Sequence, residues 1–209
     1  MVGRREEILD AAVAIADERG IEAVSMRAVA ERVGVTPMAL YSHVGDKTGL
    51  LDAMNGWVLA KLAKSPRSTD PWQRLFDFAR ASRRLTRRHP WAAQLLLSRP
   101  VNTAEGVSGV DEIWVALLEI GVPPSDVPRV ERMLSTFVVG FAASEAGGRF
   151  RRLNPRGRRD QTTGQTLPGH AAVADRLGNK TDWDAEFDAD LDDLRRLVET
   201  VVARAGYAR

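Results

Sequence analysis

Apolar residues recur at intervals of three and four along most of this 209-residue chain, and that periodicity limits the folds the chain can adopt. In the first such stretch, Ile8, Ala12 and Ile15 share one face of a helix. We find no alternating run of the kind that marks a strand. The pattern predicts an all-α fold, with helices at about Arg4–Arg19, Met26–Val33, Pro37–His43, Lys47–Ala63, Trp72–His89, Trp91–Ser98, Val107–Ile120, Ser125–Ala146 and Asp184–Ala205.

Residue usage disfavours several classes of site. The chain has no cysteine, which excludes disulfides, thiolate metal sites and cysteine nucleophiles. Its three histidines, His43, His89 and His170, lie far apart, so we expect neither a metal nor another cofactor. No apolar run approaches the roughly 18 residues of a membrane span, and no apolar signal core follows the charged N-terminus. We therefore expect a cytoplasmic protein without a membrane partner.

Two short helices joined by a tight turn at Gly34 lie within residues 25–47. Ser25 and Thr36 have the side chains that cap such helices. Apolar residues are spaced so that the two helices pack across one another, and the small residue Ala30 stands where they would cross closely. This is the helix-turn-helix pattern, whose second helix lies in the major groove of DNA.

The second of these helices has an exposed face suited to contact with DNA. Hydroxyl groups donate hydrogen bonds to phosphates, small apolar groups contact thymine methyls, and the amino end of a helix attracts phosphate. The alternative is a plain helical hairpin that binds nothing. The candidate DNA-binding residues are Ser25, Arg27, Thr36, Pro37, Met38, Ala39, Tyr41, Ser42, His43 and Lys47.

The order and spacing of these residues resemble a known DNA-binding domain. The strings Met26–Val35 and Leu40–Leu51, placed after a first helix, are similar to the N-terminal domain of the TetR family of transcriptional regulators. The resemblance implies an N-terminal three-helix helix-turn-helix domain joined to a C-terminal helical ligand-binding and dimerisation domain. It also implies a homodimer on a palindromic double-stranded DNA operator, with DNA contacts from Thr36, Tyr41, His43 and Lys47. On this basis we divide the chain into a DNA-binding domain at 1–47, a connecting helix at 48–64 and a ligand-binding and dimerisation domain at 65–209.

The resemblance also implies an effector cavity in the C-terminal domain. Most large apolar side chains there are expected to form the core, while some line the cavity. Because few charges lie among them, the expected effector is a small, mainly apolar organic molecule. The tetracycline-repressor branch has a metal-binding histidine near the position of Leu95, and its absence argues against magnesium-tetracycline. The candidate ligand-binding residues are Trp57, Phe78, Ser82, Leu95, Ser98, Trp114 and Phe137.

Two of the predicted helices have apolar seams that suit packing between helix pairs. In the last helix the seam starts at Phe187 and repeats at spacings of four and three, and Ser125–Ala146 has a similar repeat. Such seams suit a four-helix interface across a two-fold axis, and burial within one subunit is the alternative. The candidate interface residues are Leu134, Phe141, Leu191, Leu194, Val198 and Val201.

Charge is unevenly distributed, although the net charge is only +2. Residues 1–64 hold eight basic and nine acidic residues, so the DNA-binding hypothesis rests on the motif and not on bulk charge. The arginines within 80–88 and the acidic residues within 182–193 are interpreted as solvated helix faces, and residues 148–183 as a long loop.

Motifs that would support catalysis are missing from the sequence. It has no Gly-rich phosphate loop and no recognisable nucleophile with its base, so we predict that the protein is not an enzyme. The function that fits best is a ligand-responsive transcriptional repressor. The alternative is an all-α ligand-binding or scaffolding protein whose helical hairpin no longer reads DNA.

Overall fold

The computed structural model describes residues 3–63, 68–149, 168–173 and 181–206. These residues form helices and contain no strand, which confirms the predicted all-α fold. None of the described helices is long and apolar enough to cross a membrane. The helices are α1 (Arg4–Arg19), α2 (Met26–Val33), α3 (Pro37–Val44), α4 (Lys47–Ala63), α5 (Pro71–Arg88), α6 (Ala92–Ser98), α7 (Ala104–Ile120), α8 (Val127–Ala146), α9 (Pro168–Ala172) and α10 (Trp183–Gly206), with a 3-10 turn at Ile21–Ala23.

The helix boundaries differ from the predicted ones mainly at α7. This helix begins three residues earlier than predicted because Thr103 caps it, with its hydroxyl accepting from the Gly106 N–H at 3.1 Å. The predicted loop at 148–183 lies mostly outside the described residues, and the short helix α9 falls within it.

Local chemistry sets the ends of the short helices α2 and α3. The Ser25 hydroxyl accepts from the Ala28 N–H at 3.2 Å and so begins α2. Gly34 ends α2 with a φ of 77°, a left-handed conformation that glycine adopts without steric cost. The chain therefore turns sharply at Gly34, and α3 begins after Thr36 with Pro37 in its first turn.

One hydrophobic core joins the N-terminal helices to α4 and α6. Leu40 of α3 and Met54 of α4 are fully buried in it. Trp91 and Leu95 reach the same core from the α6 region. The N-terminal module therefore packs directly on the following helices. The other fully buried members of this core include Ile8, Ala12, Ile15, Val24, Val29, Ala30, Leu50 and Val58.

Two further apolar clusters organise the C-terminal helices. The first joins Leu117 of α7 and Val130 of α8 to Val198 of α10. The second joins Ala79 of α5 and Val138 of α8 to Phe187 and Leu191 of α10. α10 is thus fixed to both α8 and α5 by apolar packing.

Arginines of α5 form ion pairs with acidic residues of α10. Arg80 Nε lies 2.9 Å from Asp188 Oδ1, and Arg83 Nη2 lies 2.8 Å from Asp184 Oδ1. The interpretation as a solvated helix face is therefore wrong at Arg83, which is covered, whereas the side chains of Asp184 and Asp188 remain 74% and 54% exposed. Arg83, only 7% exposed at its side chain, also donates two hydrogen bonds to Glu145 of α8, at 2.8 and 2.7 Å. These bonds hold the pKa of Arg83 above its ordinary value.

The Thr86 hydroxyl on α5 is fully buried and has no hydrogen-bond partner among the described residues. A buried polar group left unpaired costs about 1–3 kcal/mol. We expect Thr86→Val, which keeps the side-chain shape, to raise the free energy of unfolding by about 1 kcal/mol and the Tm by about 2–4 °C. Thermal and denaturant unfolding measure this effect, and Thr136→Val at an exposed site of α8 is the control. A lowered Tm for Thr86→Val would contradict the prediction.

Candidate nucleic-acid interface and ligand cavity

α3 is anchored by one face and exposed on the other. Leu40 and Val44 are buried against the core, which fixes the rotation of the helix. Met38 is 76% exposed and Tyr41 48% exposed, so both large side chains extend from the opposite face. Their predicted neighbours on that face, Pro37, Ala39, Ser42 and His43, are also exposed.

The amino end of α3 is open for an anionic partner. Thr36 precedes the helix, and its side chain makes no capping hydrogen bond in the described structure. Pro37 in the first turn has no N–H to satisfy. Because the amino end of a helix carries partial positive charge, this end together with the Thr36 hydroxyl suits a phosphate group.

The remaining candidate DNA-binding residues differ in how free their polar groups are. Arg27 of α2 and Lys47 at the start of α4 are exposed, so their charges are accessible. The Ser25 hydroxyl already accepts from a backbone N–H, and the Ser42 hydroxyl donates to the Ala39 carbonyl at 3.1 Å. The freely available polar groups therefore belong to Arg27, Thr36 and Lys47 more than to the two serines.

A mainly apolar cavity lies between α5, α8 and α10. The empty space within its walls is about 590 Å³, a figure that includes the part open to solvent. Its polar wall residues are Ser82, Glu131, Ser135 and Arg195. Its apolar wall residues are Trp72, Leu75, Phe76, Phe78, Ala79, Ile113, Leu134, Val138, Val139, Leu191 and Leu194.

A second cavity, of about 480 Å³ including its open part, lies between α4, α5 and α7. It shares three wall residues with the first cavity, namely Leu75, Phe78 and Ile113. These side chains therefore lie between the two spaces.

The structure brings two of the seven candidate ligand-binding residues, Phe78 and Ser82, to the wall of the first cavity. The others lie elsewhere in the described structure because their helices turn them away. Leu95 is buried in the N-terminal core, and the Ser98 hydroxyl donates to the Gln94 carbonyl at 2.6 Å. The three aromatic candidates lie in different places. Trp57 packs beside His89 and Trp91. Trp114 is exposed on α7, and Phe137 stacks on Phe187.

Two of the six candidate interface residues, Leu191 and Val198, are buried within the chain, and the other four are half-buried. Leu134, Leu191 and Leu194 line the first cavity. Phe141 lies against Phe187, with ring centroids 4.9 Å apart. Val198 and Val201 join the apolar cluster of α7 and α8. The seams therefore contribute to packing within the chain and leave the half-buried side chains of four candidates accessible at their outer sides.

Three wall residues of the cavity were missed by sequence reasoning although α5 carries a signal for them. Trp72, Phe76 and Ala79 precede Ser82 at helical spacings that place all four on one face. The contributions of α8 and α10 have no such signal, because they depend on how distant helices cross.

Asp17 of α1 links the N-terminal module to the junction between α5 and α6. Its Oδ1 accepts a hydrogen bond from Trp91 Nε1 at 2.6 Å and lies 2.7 Å from His89 Nδ1. Trp57 of α4 packs edge-on against His89, with centroids 5.2 Å apart. One carboxylate oxygen of Asp17 thus links α1 to the C-terminal end of α5, the helix that lines the first cavity.

Replacing Asp17 tests the strength of this link. We expect Asp17→Ala to lower the free energy of unfolding by about 1–3 kcal/mol, because the largely buried nitrogen atoms of His89 and Trp91 lose their acceptor. Asp10→Ala, at an exposed position of the same helix, should change it by less than about 0.5 kcal/mol. Urea unfolding of both variants makes the comparison, and equal effects would show that the link contributes nothing.

No group of three or more His, Asp or Glu side chains is arranged to hold a metal ion in the part of the chain that the structure describes.

Comparison with known proteins agrees with these features. The family model described as "Bacterial regulatory proteins, tetR family" matches residues 8–54, and "Tetracyclin repressor-like, C-terminal domain" matches residues 65–194. The transcriptional repressor DrrR1 of Streptomyces coeruleorubidus is 32% identical over 143 residues, which cover 67% of this chain and 53% of that protein, so the match spans about half of DrrR1. A transcriptional regulator of Saccharopolyspora erythraea is 28% identical over 97% of this chain and 86% of its own.

Two further comparisons complete this result. The repressor KstR of Mycolicibacterium smegmatis is 31% identical over 63% of this chain and 71% of its own. The fold matches the crystal structure of apo ActR from Streptomyces coelicolor over the full length of both chains, with a TM-score of 0.80 and 23% identity. Both family models and these relatives lead to one conclusion: the chain belongs to the TetR family of bacterial transcriptional regulators.

Proposed function

We propose that this protein is a repressor that binds a palindromic operator as a homodimer and leaves it when a small, mainly apolar organic effector binds. The observation that carries the proposal is the outer face of α3, where Met38 and Tyr41 stand exposed on a helix anchored in the core. The relatives DrrR1 and KstR are named as transcriptional repressors. ActR, which shares the fold, has been solved with actinorhodin and with (S)-DNPA.

In this proposal α3 enters the major groove and its amino end lies against the DNA backbone. Thr36 and the first turn of α3 bind phosphate, while Tyr41 and Met38 contact base edges and sugars. Arg27 and Lys47 neutralise flanking phosphates. Pro37, Ala39 and His43 shape the rest of the contact face, and Ser25 and Ser42 hold the two helices in position through their backbone hydrogen bonds.

We propose that the outward faces of α8 and α10 form the two-fold interface. Leu197 of α10 is 47% exposed, which makes it a large apolar side chain on the outward face of this helix. Gly140 of α8 leaves open space, since a Cβ atom there would meet no atom within 4 Å. In this proposal the half-buried interface candidates Leu134, Phe141, Leu194 and Val201 contribute to the interface, while the buried Leu191 and Val198 fix the rotation of α10.

Operator release requires that effector binding and DNA binding favour different geometries. We propose that residues 1–47 form the DNA-binding domain and that residues 65–209 bind the effector and form the dimer. Residues 48–64 connect these two domains. The cavity residues Phe78 and Ser82 lie on α5, which ends beside the Asp17 link to α1. A ligand that displaces α5 would therefore shift α1 and change the separation of the two α3 helices.

Two further points belong to the proposal. Named relatives are transcriptional regulators, and we propose that this chain has no catalytic activity of its own. A repressor acts where the chromosome lies, so we propose a cytoplasmic location.

Salt dependence separates DNA binding from the alternative of a ligand-binding or scaffolding protein. We expect the affinity of the full chain for DNA flanking its own gene to fall steeply between about 50 and 200 mM salt, because phosphate contacts release counterions. Fluorescence anisotropy with a labelled fragment measures this dependence, and a scrambled fragment of equal length is the control. Equal affinity for both fragments at physiological salt would contradict the proposed function.

A further inference from the structure

The cavity between α5, α8 and α10 has a buried end and an exposed end. Along α5, Trp72 and Phe76 are half-buried, whereas Ala79 and Ser82 are buried, with Ser82 only 2% exposed. Ser82 follows Trp72 by ten positions on α5, so the two residues lie about 15 Å apart along the helix axis at 1.5 Å per residue. Arg195, nearly half exposed, lies over the Trp72 ring at 5.2 Å from its centroid and so marks the outer end. The space is therefore elongated, with Ser82 at its inner end.

The Ser82 hydroxyl differs from several helical hydroxyls among the described residues, and unlike the equally unpartnered Thr86 it belongs to a residue of the cavity wall. Ser98, Ser135 and Thr200 each donate to a backbone carbonyl three or four residues earlier, at 2.6 to 3.2 Å. Ser82 makes no hydrogen bond to any described residue although it is almost completely buried and belongs to the cavity wall. Because Ser82 belongs to the cavity wall and its hydroxyl has no partner among the described residues, that hydroxyl is available to a bound molecule.

Charges near the inner end are already neutralised within the protein. Arg83 follows Ser82 in the chain, but Glu145 and Asp184 occupy its guanidinium group. A ligand carboxylate at this end would lose its hydration and gain only one hydroxyl donor, which does not offset the cost of burying a charge. The group that binds there must therefore be uncharged.

The walls favour a flat, aromatic body. Trp72, Phe76 and Phe78 supply ring surface to the wall, and aliphatic side chains such as Val138 and Leu194 complete it. Aromatic rings in such surroundings stack in offset or edge-on arrangements.

From these four observations we propose that the cavity selects an elongated aromatic molecule whose inner end is uncharged and carries a carbonyl oxygen, and that Ser82 donates a hydrogen bond to that oxygen. Ser82 thereby determines specificity, while the ring walls supply most of the affinity. This inference rests on the proposed function in one respect, namely that the cavity is the effector site.

Two probe molecules of matched shape test the proposal. 2-Acetylnaphthalene has a terminal carbonyl oxygen, and 2-ethylnaphthalene is nearly the same shape without it. Equilibrium dialysis of the full chain gives the affinity for each probe in the wild type, in Ser82→Ala and in Ser135→Ala. Ser135→Ala is the matched control, because Ser135 lines the same cavity but its hydroxyl already donates to the Arg132 carbonyl. Thermal unfolding verifies that each variant is folded.

We expect Ser82→Ala to weaken binding of 2-acetylnaphthalene about 3- to 10-fold, the contribution of one hydrogen bond, and to leave binding of 2-ethylnaphthalene unchanged. Ser135→Ala should change neither affinity. Equal losses for both probes, no loss for the ketone, or no binding of either probe to the wild type would overturn the proposal. A separate gel shift with operator DNA distinguishes failure of this inference from failure of the proposed effector role. Ser82-dependent binding without DNA release would refute the effector role alone, and release only by ligands that lack a carbonyl oxygen would refute this inference while leaving the repressor function intact.

Discussion

Tyr41→Ala is expected to weaken specific operator binding by about 30- to 1,000-fold. Contacts of one side chain with DNA contribute on the order of 1–2 kcal/mol, and a homodimer on a palindrome loses each contact twice. The Tyr41 side chain is 48% exposed on α3 and packs little within its own chain, so its loss should not unfold the module. Fluorescence anisotropy on the operator measures the affinity, and light scattering measures the dimer.

Tyr41→Phe separates the ring from the hydroxyl. If the hydroxyl binds phosphate while the ring contacts the groove, the phenylalanine variant should fall between the wild type and Tyr41→Ala. An unchanged affinity in Tyr41→Ala would contradict the assignment of this helix face to DNA. A variant that loses both dimer and operator binding would instead point to misfolding, which circular dichroism detects.

Arg83→Ala is expected to lower the free energy of unfolding by about 3–5 kcal/mol. Arg83 is buried, makes two hydrogen bonds to Glu145, and lies 4.9 Å from the Phe187 ring centroid in a cation–π contact. Removing it leaves the largely buried Glu145 carboxylate without its main partner, which is the most costly way to break such a pair. At about 2–4 °C per kcal/mol for a chain of this size, the Tm should fall by about 6–20 °C.

Two further variants show whether the buried pair is responsible. Arg84→Ala removes the neighbouring arginine, which is exposed, and should change stability by less than about 0.5 kcal/mol. The double variant Arg83→Met with Glu145→Leu replaces both charges by apolar groups and should regain much of the loss. Equal destabilisation by Arg83→Ala and Arg84→Ala would refute this explanation.

Features encoded by local sequence were predicted well. The capping residue Ser25, the left-handed Gly34 and the first-turn Pro37 fix the helix-turn-helix boundaries with interactions inside a few residues. The exposed face of α3 follows from the same local spacing, since burial of Leu40 and Val44 determines the direction of the other side chains.

Features that depend on the crossing of distant helices were predicted poorly. α10 packs on α5 about a hundred residues away, and this contact buries Arg83 and pairs it with Asp184, although most other members of the two charge runs stay exposed. Because of the same crossing, the side chains of Leu191 and Leu194 lie in the wall of the cavity between α5, α8 and α10. Periodicity identified these as buried positions, but it does not state which partner covers them.

The separation of the two half-sites on DNA is the most direct test of the account. Nuclease footprinting of the full chain on DNA flanking its own gene should show one symmetric protected region. Its two half-sites should lie one helical turn apart, about 10 base pairs and 34–36 Å, or a multiple of that spacing, with two chains bound per site. The absence of any sequence-specific protection at physiological salt, or protection of a single half-site by a monomer, would contradict the account.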